Sequence, residues 1–408
     1  MRRLLSAIVA TTLISACSGG DPKFVRDEAA DSLGDAAPVI AVNDPNYGVA
    51  IIDPSTREIF RVDVVNAEGE FADAGGLNAT ISWDGTVVAF DSRATNFPDG
   101  YVEDSTQAYV ASSRDRFIAR ISSDTNNEIF TMSTLHVHVS ADGNWVVFEQ
   151  YAPSGDADEP STNYGVFLFD LETGRKERID LSEDGSIPDE NGWRSSPSAG
   201  GRYVVFESCA ETLVSGDGND ECDVFVHDAV ADSTELVSVA SNGEQANGFS
   251  GHGSISHDGR LIAFDSEAYN LASEDLNAAA DVFVRDQSTG ETTRISELPD
   301  GSYASRGAYG ASMLGDGSGV VFIGDSRLGG GDGNAMQVLL YTFETEEFTV
   351  LSASPDGDLG NADSISAEIV NDRYVVFVTN AWNLVPESQP GPGEYIYDLD
   401  NNELTRIR

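Results

Sequence analysis

The sequence has few basic residues and few cysteines for a chain of 408 residues. It contains 23 Lys and Arg residues against 69 Asp and Glu residues, which gives a formal net charge of −46. Lys23 and Lys176 are the only lysines. An acidic surface of this kind repels phosphate backbones and anionic lipid headgroups, so the composition argues against a nucleic-acid partner.

Common motifs of catalytic sites are also missing. The sequence has no Gly-x-Ser-x-Gly elbow and no His-Glu-x-x-His zinc motif. The glycine-containing segment "VSGDGND" is not a phosphate-binding loop, because it lacks the Gly-Lys-Ser/Thr end. These absences favour a non-catalytic protein over an enzyme.

The N-terminus has the organisation of an export signal. Arg2 and Arg3 precede an apolar run over residues 4–14, which is too short to span a bilayer. The run ends in "LISAC", with two small residues directly before Cys17. This resembles the lipobox of bacterial lipoproteins, which implies a signal peptide over residues 1–16 and a lipid on Cys17. An ordinary cleavage site with an incidental cysteine is the alternative.

The residues after Cys17 indicate where the protein is anchored. Ser18 stands where an aspartate would favour retention in the inner membrane, so the resemblance implies the outer membrane, at its periplasmic face or at the cell surface. Residues 17–36 are polar and acidic, which predicts a flexible tether. Residues 37–408 are then the folded domain, and no segment in them has the roughly 18 consecutive apolar residues of a membrane-spanning helix. The lipid is therefore the predicted membrane contact.

With Cys17 assigned to lipid, Cys209 and Cys222 remain as an even pair in an exported protein. They lie at the end of one predicted strand and the start of the next, where antiparallel strand ends can approach closely enough for a disulfide. Closing this loop would stabilise the fold by roughly 3 kcal/mol. Two free, buried thiols are the alternative.

A repeat of 58 residues runs through the chain. The pattern Ser-x-(Asp/Gly)-Gly-x-x-(Val/Ile)-x-Phe begins at Ser82, Ser140, Ser198 and Ser256. The serine is lost in the next copy, at Leu314, and the copy near Asn371 also loses the turn glycine, so these two units are expected to be irregular. A second motif, seen as "DVFVRD" at 281–286, follows in step with the first.

Each repeat predicts four short strands. An Asp-Gly turn joins the first two, and a polar loop leads to the third strand, which turns back into the fourth. Four-stranded antiparallel units in fixed repetition predict an all-β fold, a β-propeller. The motifs resemble the TolB-like β-propeller repeat of bacterial periplasmic proteins (a WD40-like repeat) over residues 78–408. The resemblance implies partners among envelope proteins and does not identify one.

The number of blades is less certain from the sequence than the fold. Six repeats are complete, and "VAIIDPSTREIFRVDV" at 49–64 is a seventh copy of the outer strand pair. Residues 37–42 can add a third strand to it. Seven blades, the first abbreviated to three strands, are therefore favoured, with six blades and an N-terminal embellishment as the alternative.

The inner strand of each blade of a propeller lines the central channel, so residues in register there form rings. Four positions before each repeat serine, the register holds Asn78, His136, Arg194 and His252, and His138 lies two residues after His136. Such residues are candidates for binding a metal or an anion in the channel. A polar, water-filled channel mouth without a ligand is the alternative.

The loops between strands are acidic and form a second candidate site. The spacing Asp-x-Asn-x-x-x-Asp occurs twice, as Asp217, Asn219 and Asp223, and as Asp275, Asn277 and Asp281. Oxygen ligands on glycine-containing loops suit calcium, which is the only cofactor the sequence suggests. Neither loop completes an EF-hand, and the same residue types are common in solvated turns.

Together these features predict a non-catalytic, lipid-anchored scaffold of the bacterial envelope, a monomer that presents loops and a channel mouth to a protein or glycan partner. The first alternative is a metal-assisted enzyme, a polysaccharide lyase or hydrolase, that uses the channel histidines. The second is an adhesion module stabilised by calcium.

Overall fold

The computed structural model describes most of the chain after residue 39. The described residues are 40–44, 48–52, 59–63, 70–97, 105–112, 118–122, 133–151, 164–272, 279–298, 304–386 and 390–407. They contain β-strands, turns and one short 3-10 turn at Ser326–Gly329, and no α-helix. No helix in these ranges has the length and hydrophobicity needed to cross a membrane. The signal peptide, Cys17 and the tether lie outside the described residues.

The chain forms two compact units, residues 1–179 and 180–408. The first unit contains a three-stranded sheet and two four-stranded antiparallel sheets, which we call blade 1 and blade 2. The three-stranded sheet is β1 (Ile40–Asp44), β2 (Gly48–Ile52) and β3 (Ile59–Arg61). Blade 1 is β4 (Gly76–Ile81), β5 (Val87–Ser92), β6 (Gln107–Ser112) and β7 (Ile118–Arg120), and blade 2 is β8 (Thr134–Val139), β9 (Trp145–Tyr151), β10 (Tyr164–Asp170) and β11 (Lys176–Arg178).

The second unit contains blades 3 to 6, each with its four strands in chain order. Blade 3 is β12 (Gly192–Pro197), β13 (Tyr203–Ser208), β14 (Asp223–Asp228) and β15 (Ser233–Leu236), and blade 4 is β16 (Ser250–Ile255), β17 (Leu261–Ser266), β18 (Asp281–Asp286) and β19 (Glu291–Arg294). Blade 5 is β20 (Ala308–Met313), β21 (Gly319–Asp325), β22 (Met336–Thr342) and β23 (Glu347–Val350), and blade 6 is β24 (Ser364–Val370), β25 (Tyr374–Thr379), β26 (Gly393–Asp398) and β27 (Glu403–Arg406).

The propeller therefore has six four-stranded blades, the count that was the alternative, and the favoured count of seven is wrong. The strands β1, β2 and β3 do form one sheet, as expected, because β2 pairs with both β1 and β3. Among the described residues, however, no fourth strand joins this sheet. Its first strand, β1, packs beside β4. An outer-strand motif with one added strand is thus an additional small sheet beside blade 1 and not a complete blade.

The strand order defines an inner and an outer side of each blade. First strands of successive blades contact one another, as β4 contacts β8 and β16 contacts both β12 and β20. Fourth strands make their main contacts with the third strand of their own blade. The second and third strands carry the buried aromatic pairs of the core, such as Phe206 with Phe225 and Phe264 with Phe283, with ring centroids 5.7 Å apart in both cases. These pairs explain the recurrent phenylalanines of the repeat.

The repeat serine closes the turn between the first two strands. The hydroxyl of Ser256 accepts a hydrogen bond from the Leu261 N–H at 3.0 Å and donates to Asp258 at 2.6 Å. The next residue, Gly259, has a φ of 76°, a conformation that glycine adopts without strain. The serine, aspartate and glycine of the motif are therefore turn residues.

The two repeats that were expected to be irregular, which form blades 5 and 6, keep all four strands. In blade 5 the turn survives the loss of the serine, because the Gly317 N–H still donates to the Leu314 carbonyl at 2.8 Å. In blade 6 the left-handed turn residues are Asn371 and Asp372, both with a φ of 53°. Asparagine and aspartate tolerate this region better than other non-glycine residues, so a turn without glycine still forms.

Candidate functional site

The register position picked out in the sequence is a structural feature of the inner strands. Asn78, His136, Arg194 and His252 have φ values of 48°, 45°, 50° and 53°, and Gly310 of blade 5 has a φ of 70°. In blades 1 to 5 the pairing register shifts at this point, which marks a β-bulge. A left-handed conformation costs a non-glycine residue on the order of 1 kcal/mol. The fold maintains this strained position in blades 1 to 4 with side chains other than glycine.

Each of these side chains meets a buried carboxylate of its own blade. The carboxylates directly follow the repeat phenylalanine on the second strand, and they are Asp91, Glu149, Glu207 and Asp265. All four are at most 3% exposed. The sequence analysis missed these four residues, although the same period of 58 residues would have identified them.

The first unit contains two of these pairs. The Asn78 amide donates to Asp91 Oδ2 at 2.8 Å, and His136 Nδ1 lies 2.5 Å from Glu149 Oε2. Burial raises the pKa of Asp91 to about 7, against the opposing effect of the Asn78 hydrogen bond, and the nearby charge of Glu149 adds to the rise. Asp91 Oδ1 is buried without a hydrogen-bond partner. The burial of this carboxylate is therefore only partly compensated.

In the second unit the two pairs join into one network. His252 Nδ1 lies 2.8 Å from Asp265 Oδ1, and His252 Nε2 lies 3.1 Å from Arg194 Nη1. Arg194 Nη1 also lies 3.5 Å from Glu207 Oε2, which accepts a hydrogen bond from Trp193 Nε1 at 2.9 Å. The other carboxylate oxygen of Glu207 accepts the His252 backbone N–H at 2.5 Å. Glu207 thus connects the inner strands of blades 3 and 4.

The charges in this network determine its chemistry. The charge of Asp265 raises the pKa of His252, against the opposing effects of burial and of Arg194. Because Arg194 is always a donor, His252 Nε2 must accept in the arrangement described, and the proton of the neutral ring then lies on Nδ1 toward Asp265. The side chains of Arg194 and His252 are 27% and 34% exposed, whereas their carboxylates are buried. The network therefore presents a guanidinium and an imidazole to solvent or to a ligand.

The fold does not require these polar pairs. In blade 5, Gly310 takes the bulge position and Ile323 the carboxylate position, and in blade 6 Val378 follows the repeat phenylalanine. The Gly310 N–H still donates to the Asp265 carboxylate of blade 4, at 3.0 Å, as the His252 N–H donates to Glu207 of blade 3. Two blades thus form with apolar residues where the other four have buried carboxylates.

His138 has a different position from His136. It lies after the bulge and pairs with Val147, in the place of Thr80, Ser254 and Ser312 in other blades. Those hydroxyls accept a backbone N–H from the next inner strand, as Ser254 does from Met313 at 3.0 Å. In blade 6 this place belongs to Glu368, whose pKa is raised because the surrounding protein desolvates its carboxylate. Glu368 is a second inner-strand residue that the sequence analysis missed.

The first acidic loop contains a network of carboxylates and amides. Gln245 Nε2 donates to Asp217 Oδ1 at 2.7 Å and to Asp223 Oδ2 at 2.9 Å, and Asn219 Nδ2 donates to the same Asp223 oxygen at 2.8 Å. Asp223 also accepts the Ser238 hydroxyl at 2.5 Å, and burial raises its pKa to about 6. The spacing therefore does bring Asp217, Asn219 and Asp223 together, although amide donors surround the carboxylates.

The second acidic loop is described only at Asp281, because Asp275 and Asn277 lie outside the described residues. Asp281 accepts the Ser296 hydroxyl at 2.5 Å, the equivalent of the bond between Ser238 and Asp223. Within the described ranges, no three or more His, Cys, Asp or Glu side chains are arranged to hold a metal ion. Calcium at either loop stays a prediction.

A disulfide joins Cys209 and Cys222. It closes the loop between β13 and β14, which also contains Asp217 and Asn219. The cross-link thus lies at the end of blade 3 where the acidic loop is found.

Comparisons with known proteins agree on the fold. No family model matches the chain, and no curated protein matches it. Among solved structures, the chain is similar to TolB from Acinetobacter baumannii, with 14% identity, a TM-score of 0.44, and coverage of 95% of this chain and 85% of that one. It is also similar to the β-propeller domain of the Trilobed protease from Pyrococcus furiosus, with 12% identity, a TM-score of 0.51, and coverage of 90% and 93%.

A third similar structure is an oligogalacturonate lyase from Vibrio parahaemolyticus, with 12% identity, a TM-score of 0.50, and coverage of 91% of this chain and 86% of that one. At these identities the similarity establishes the β-propeller fold alone. The activity of the chain therefore has to be argued from its own residues.

Proposed function

We propose that the protein is a non-catalytic binding scaffold of the bacterial envelope, and that its inner strands hold a polar partner group. The observation that carries this proposal is the run of four pairs on the inner strands of blades 1 to 4. Buried carboxylates are costly, and blades 5 and 6 form without them. Residues that a fold does not need and that cost free energy are typical of binding sites.

The exposed members of the pairs indicate what such a partner offers. Asn78 and Arg194 offer N–H donors, whereas His136 and His252 have Nδ1 at a buried carboxylate, so Nε2 of the neutral ring is an acceptor. A protein or glycan partner that carries both acceptors and donors, such as hydroxyl groups, suits these side chains. We infer further that Cys17 carries a lipid that anchors the scaffold to the outer membrane, with residues 17–36 as its tether.

Crosslinking in intact envelopes tests the proposal. A photo-crosslinking residue beside the inner strand of blade 3 is expected to capture a partner in the wild-type protein and to lose it in Arg194→Ala. The matched control is Arg202→Ala in the same blade, where Arg202, in the turn between the first two strands, pairs with Asp228 at 2.8 Å. Equal capture by both variants would refute an inner-strand binding site.

A metal-assisted enzyme, a polysaccharide lyase or hydrolase, is the second candidate. It is favoured by the two imidazoles, each with a buried carboxylate at Nδ1, because this arrangement orients a histidine as a metal ligand or a base. Metal analysis of the purified protein separates the two candidates. Stoichiometric transition metal that is lost in a His136→Ala, His252→Ala double variant would favour the enzyme.

A further inference from the structure

Three blades of the propeller share a clamp that holds one residue near the start of the loop between the second and third strands, and we call this residue the tip of the clamp. In blade 4, the Tyr269 N–H donates to Asn247 Oδ1 at 3.1 Å, and the Asn247 N–H donates back to Asn270 Oδ1 at 3.0 Å. Blade 6 has the same reciprocal pair, because the Trp382 N–H donates to Asn361 and the Asn361 N–H donates to Asn383, at 3.1 and 3.0 Å.

Blade 1 has this clamp with a different residue at its tip. The Thr95 N–H donates to Asp73 Oδ1 at 2.6 Å, and the Asp73 N–H donates to Asn96 Oδ1 at 3.0 Å. The clamp therefore belongs to the repeat, and the tip residue varies on it. Its partners fix the backbone of the tip, so little backbone freedom is lost when a residue there binds.

Aromatic residues occupy two of these tips in the second unit. Tyr269 is 69% exposed and Trp382 is 51% exposed, although residues of their size are usually covered in a folded protein. Both follow the second strand of their blade. The first strands of blades 4, 5 and 6 are joined at equivalent positions, from the Met313 N–H to Ser254 and from the Ile369 N–H to Ser312, so these blades have the same orientation. The two aromatic tips therefore lie at the same end of the second unit, which we call the loop end.

The loop end is strongly acidic. In blade 3 the tip position belongs to Glu211, whose pKa is raised by a hydrogen bond with Asp220 and by the charges of Asp220, Asp189 and Asp217. Among the described residues of the unit, the basic side chains in these loops are Arg306, which pairs with Asp363 at 2.9 Å, and Arg327, which pairs with Asp325 at 2.6 Å. Carboxylates crowded in this way are relieved by a cation.

The opposite end of the unit, where the first strand turns into the second, carries arginines, and we call it the turn end. Arg202, Arg260 and Arg373 lie there in register, and each forms a short ion pair with an aspartate of its own blade. Exposed aromatic rings at an end that also carries acidic side chains suit arginine and lysine, which stack on aromatic rings and pair with carboxylates. Charge complementarity therefore selects a basic partner over an acidic one.

We propose that the loop end of the second unit docks a basic polypeptide segment, with Tyr269 and Trp382 as the aromatic contacts and the carboxylates around Glu211 as the charge contacts. The inference rests on the proposed scaffold function, and it assigns that function a second surface and a partner chemistry. It uses none of the inner-strand residues.

Binding of synthetic peptides to the whole folded protein tests this inference. A labelled peptide of alternating Arg and Ala is titrated with the protein and followed by fluorescence anisotropy, with an alternating Glu and Ala peptide as the comparison. We expect the basic peptide alone to bind, and the Tyr269→Ala, Trp382→Ala double variant to bind it at least about tenfold more weakly. The matched control is Val230→Ser, which removes a residue that is 75% exposed at the turn end.

Three outcomes decide the result. Equal weakening by the double variant and by Val230→Ser would overturn the inference, and so would unchanged binding in both, because attraction would then come from net charge alone. Circular dichroism of each variant separates lost binding from lost folding. Arg194→Ala is included in the same titration, and unchanged peptide binding there, with lost partner capture in envelopes, would show that the two surfaces act separately.

Discussion

Replacing Glu207 is the sharpest test of how the inner strands are supported. Glu207 is completely buried, and its carboxylate accepts from Trp193 Nε1 at 2.9 Å, from the His252 N–H at 2.5 Å, and faces Arg194 Nη1 at 3.5 Å. Glu207→Ala leaves these donors without their acceptor. An orphaned buried donor costs roughly 1–3 kcal/mol, so we expect the variant to lose about 3–5 kcal/mol of unfolding free energy.

Glu207→Gln separates the hydrogen bonds from the charge. The amide oxygen can still accept the His252 N–H, but the amide nitrogen then faces the donors of Trp193 and Arg194. We expect an intermediate loss of about 2 kcal/mol. Chemical denaturation followed by tryptophan fluorescence measures both variants, and Arg260→Ala, which removes a solvent-exposed ion pair worth at most about 1 kcal/mol, is the control. A Glu207→Ala loss no larger than that of the control would refute the network as a support.

Three further results are expected. Gly310→Ala should lower the unfolding free energy by about 1 kcal/mol, because a Cβ there meets no atom within 4 Å and only the φ of 70° opposes the substitution. The shift of the denaturation midpoint measures this loss, and no shift would show that the bulge relaxes. Reducing the disulfide, or replacing it through Cys209→Ala with Cys222→Ala, should lower the unfolding free energy by roughly 3 kcal/mol. The control is the double variant treated with reductant, which should show no further loss. The pKa of Asp91, raised from 3.8 to about 7, means that the folded state holds a proton the unfolded state has lost, so stability should fall as pH rises from about 4 to about 7. Asp91→Asn should remove that slope, and an unchanged profile would contradict the assignment.

His252 contributes a second pH dependence of the same sign, because its contribution to stability also falls as pH rises. Its pKa is raised, so its protonated form stabilises the fold below about 6.5, and this contribution is lost as pH rises through the folded pKa. Protonation also makes Nε2 a donor, which is incompatible with the contact to Arg194 at 3.1 Å. Acidification should therefore stabilise the pair with Asp265 while releasing the guanidinium of Arg194.

Much of the fold was predictable because its signals are local and repeated. The Ser-Asp-Gly turn and the alternating strand after it depend on neighbouring residues, so each copy of the repeat predicts one hairpin. The number of blades was not predictable in the same way. Residues 49–64 carry the outer-strand motif, yet whether a fourth strand joins them depends on packing beside blade 1 and not on the motif.

The candidate site was only half visible in the sequence. His136 and His252 attract notice because histidine is scarce, whereas Glu149 and Asp265 are two among many acidic residues in a chain with a net charge of −46. The pattern also could not reveal the bulge, because non-glycine residues with positive φ carry no reliable sequence signal. Only the pairing register shows that His136 lies in the bulge whereas His138 lies after it, so that the two have different roles.

The repeat provides its own control for function. Blades 4 and 5 share the same strands, the same turn and the same backbone bond from the bulge to the preceding carboxylate, yet one has His252 and Asp265 and the other has Gly310 and Ile323. The glycine and isoleucine satisfy the backbone of blade 5 without strain and without a buried charge, so that blade avoids both costs. The retention of imidazole, guanidinium and amide groups in blades 1 to 4 is therefore best explained by a partner that contacts them, and exchange of the blade 5 pair into blade 4 would separate stability from binding. His252→Gly with Asp265→Ile should still fold, with a loss of about 1–3 kcal/mol because the Gly310 N–H loses its acceptor, and should lose partner capture; retained capture would show that the polar pairs are dispensable.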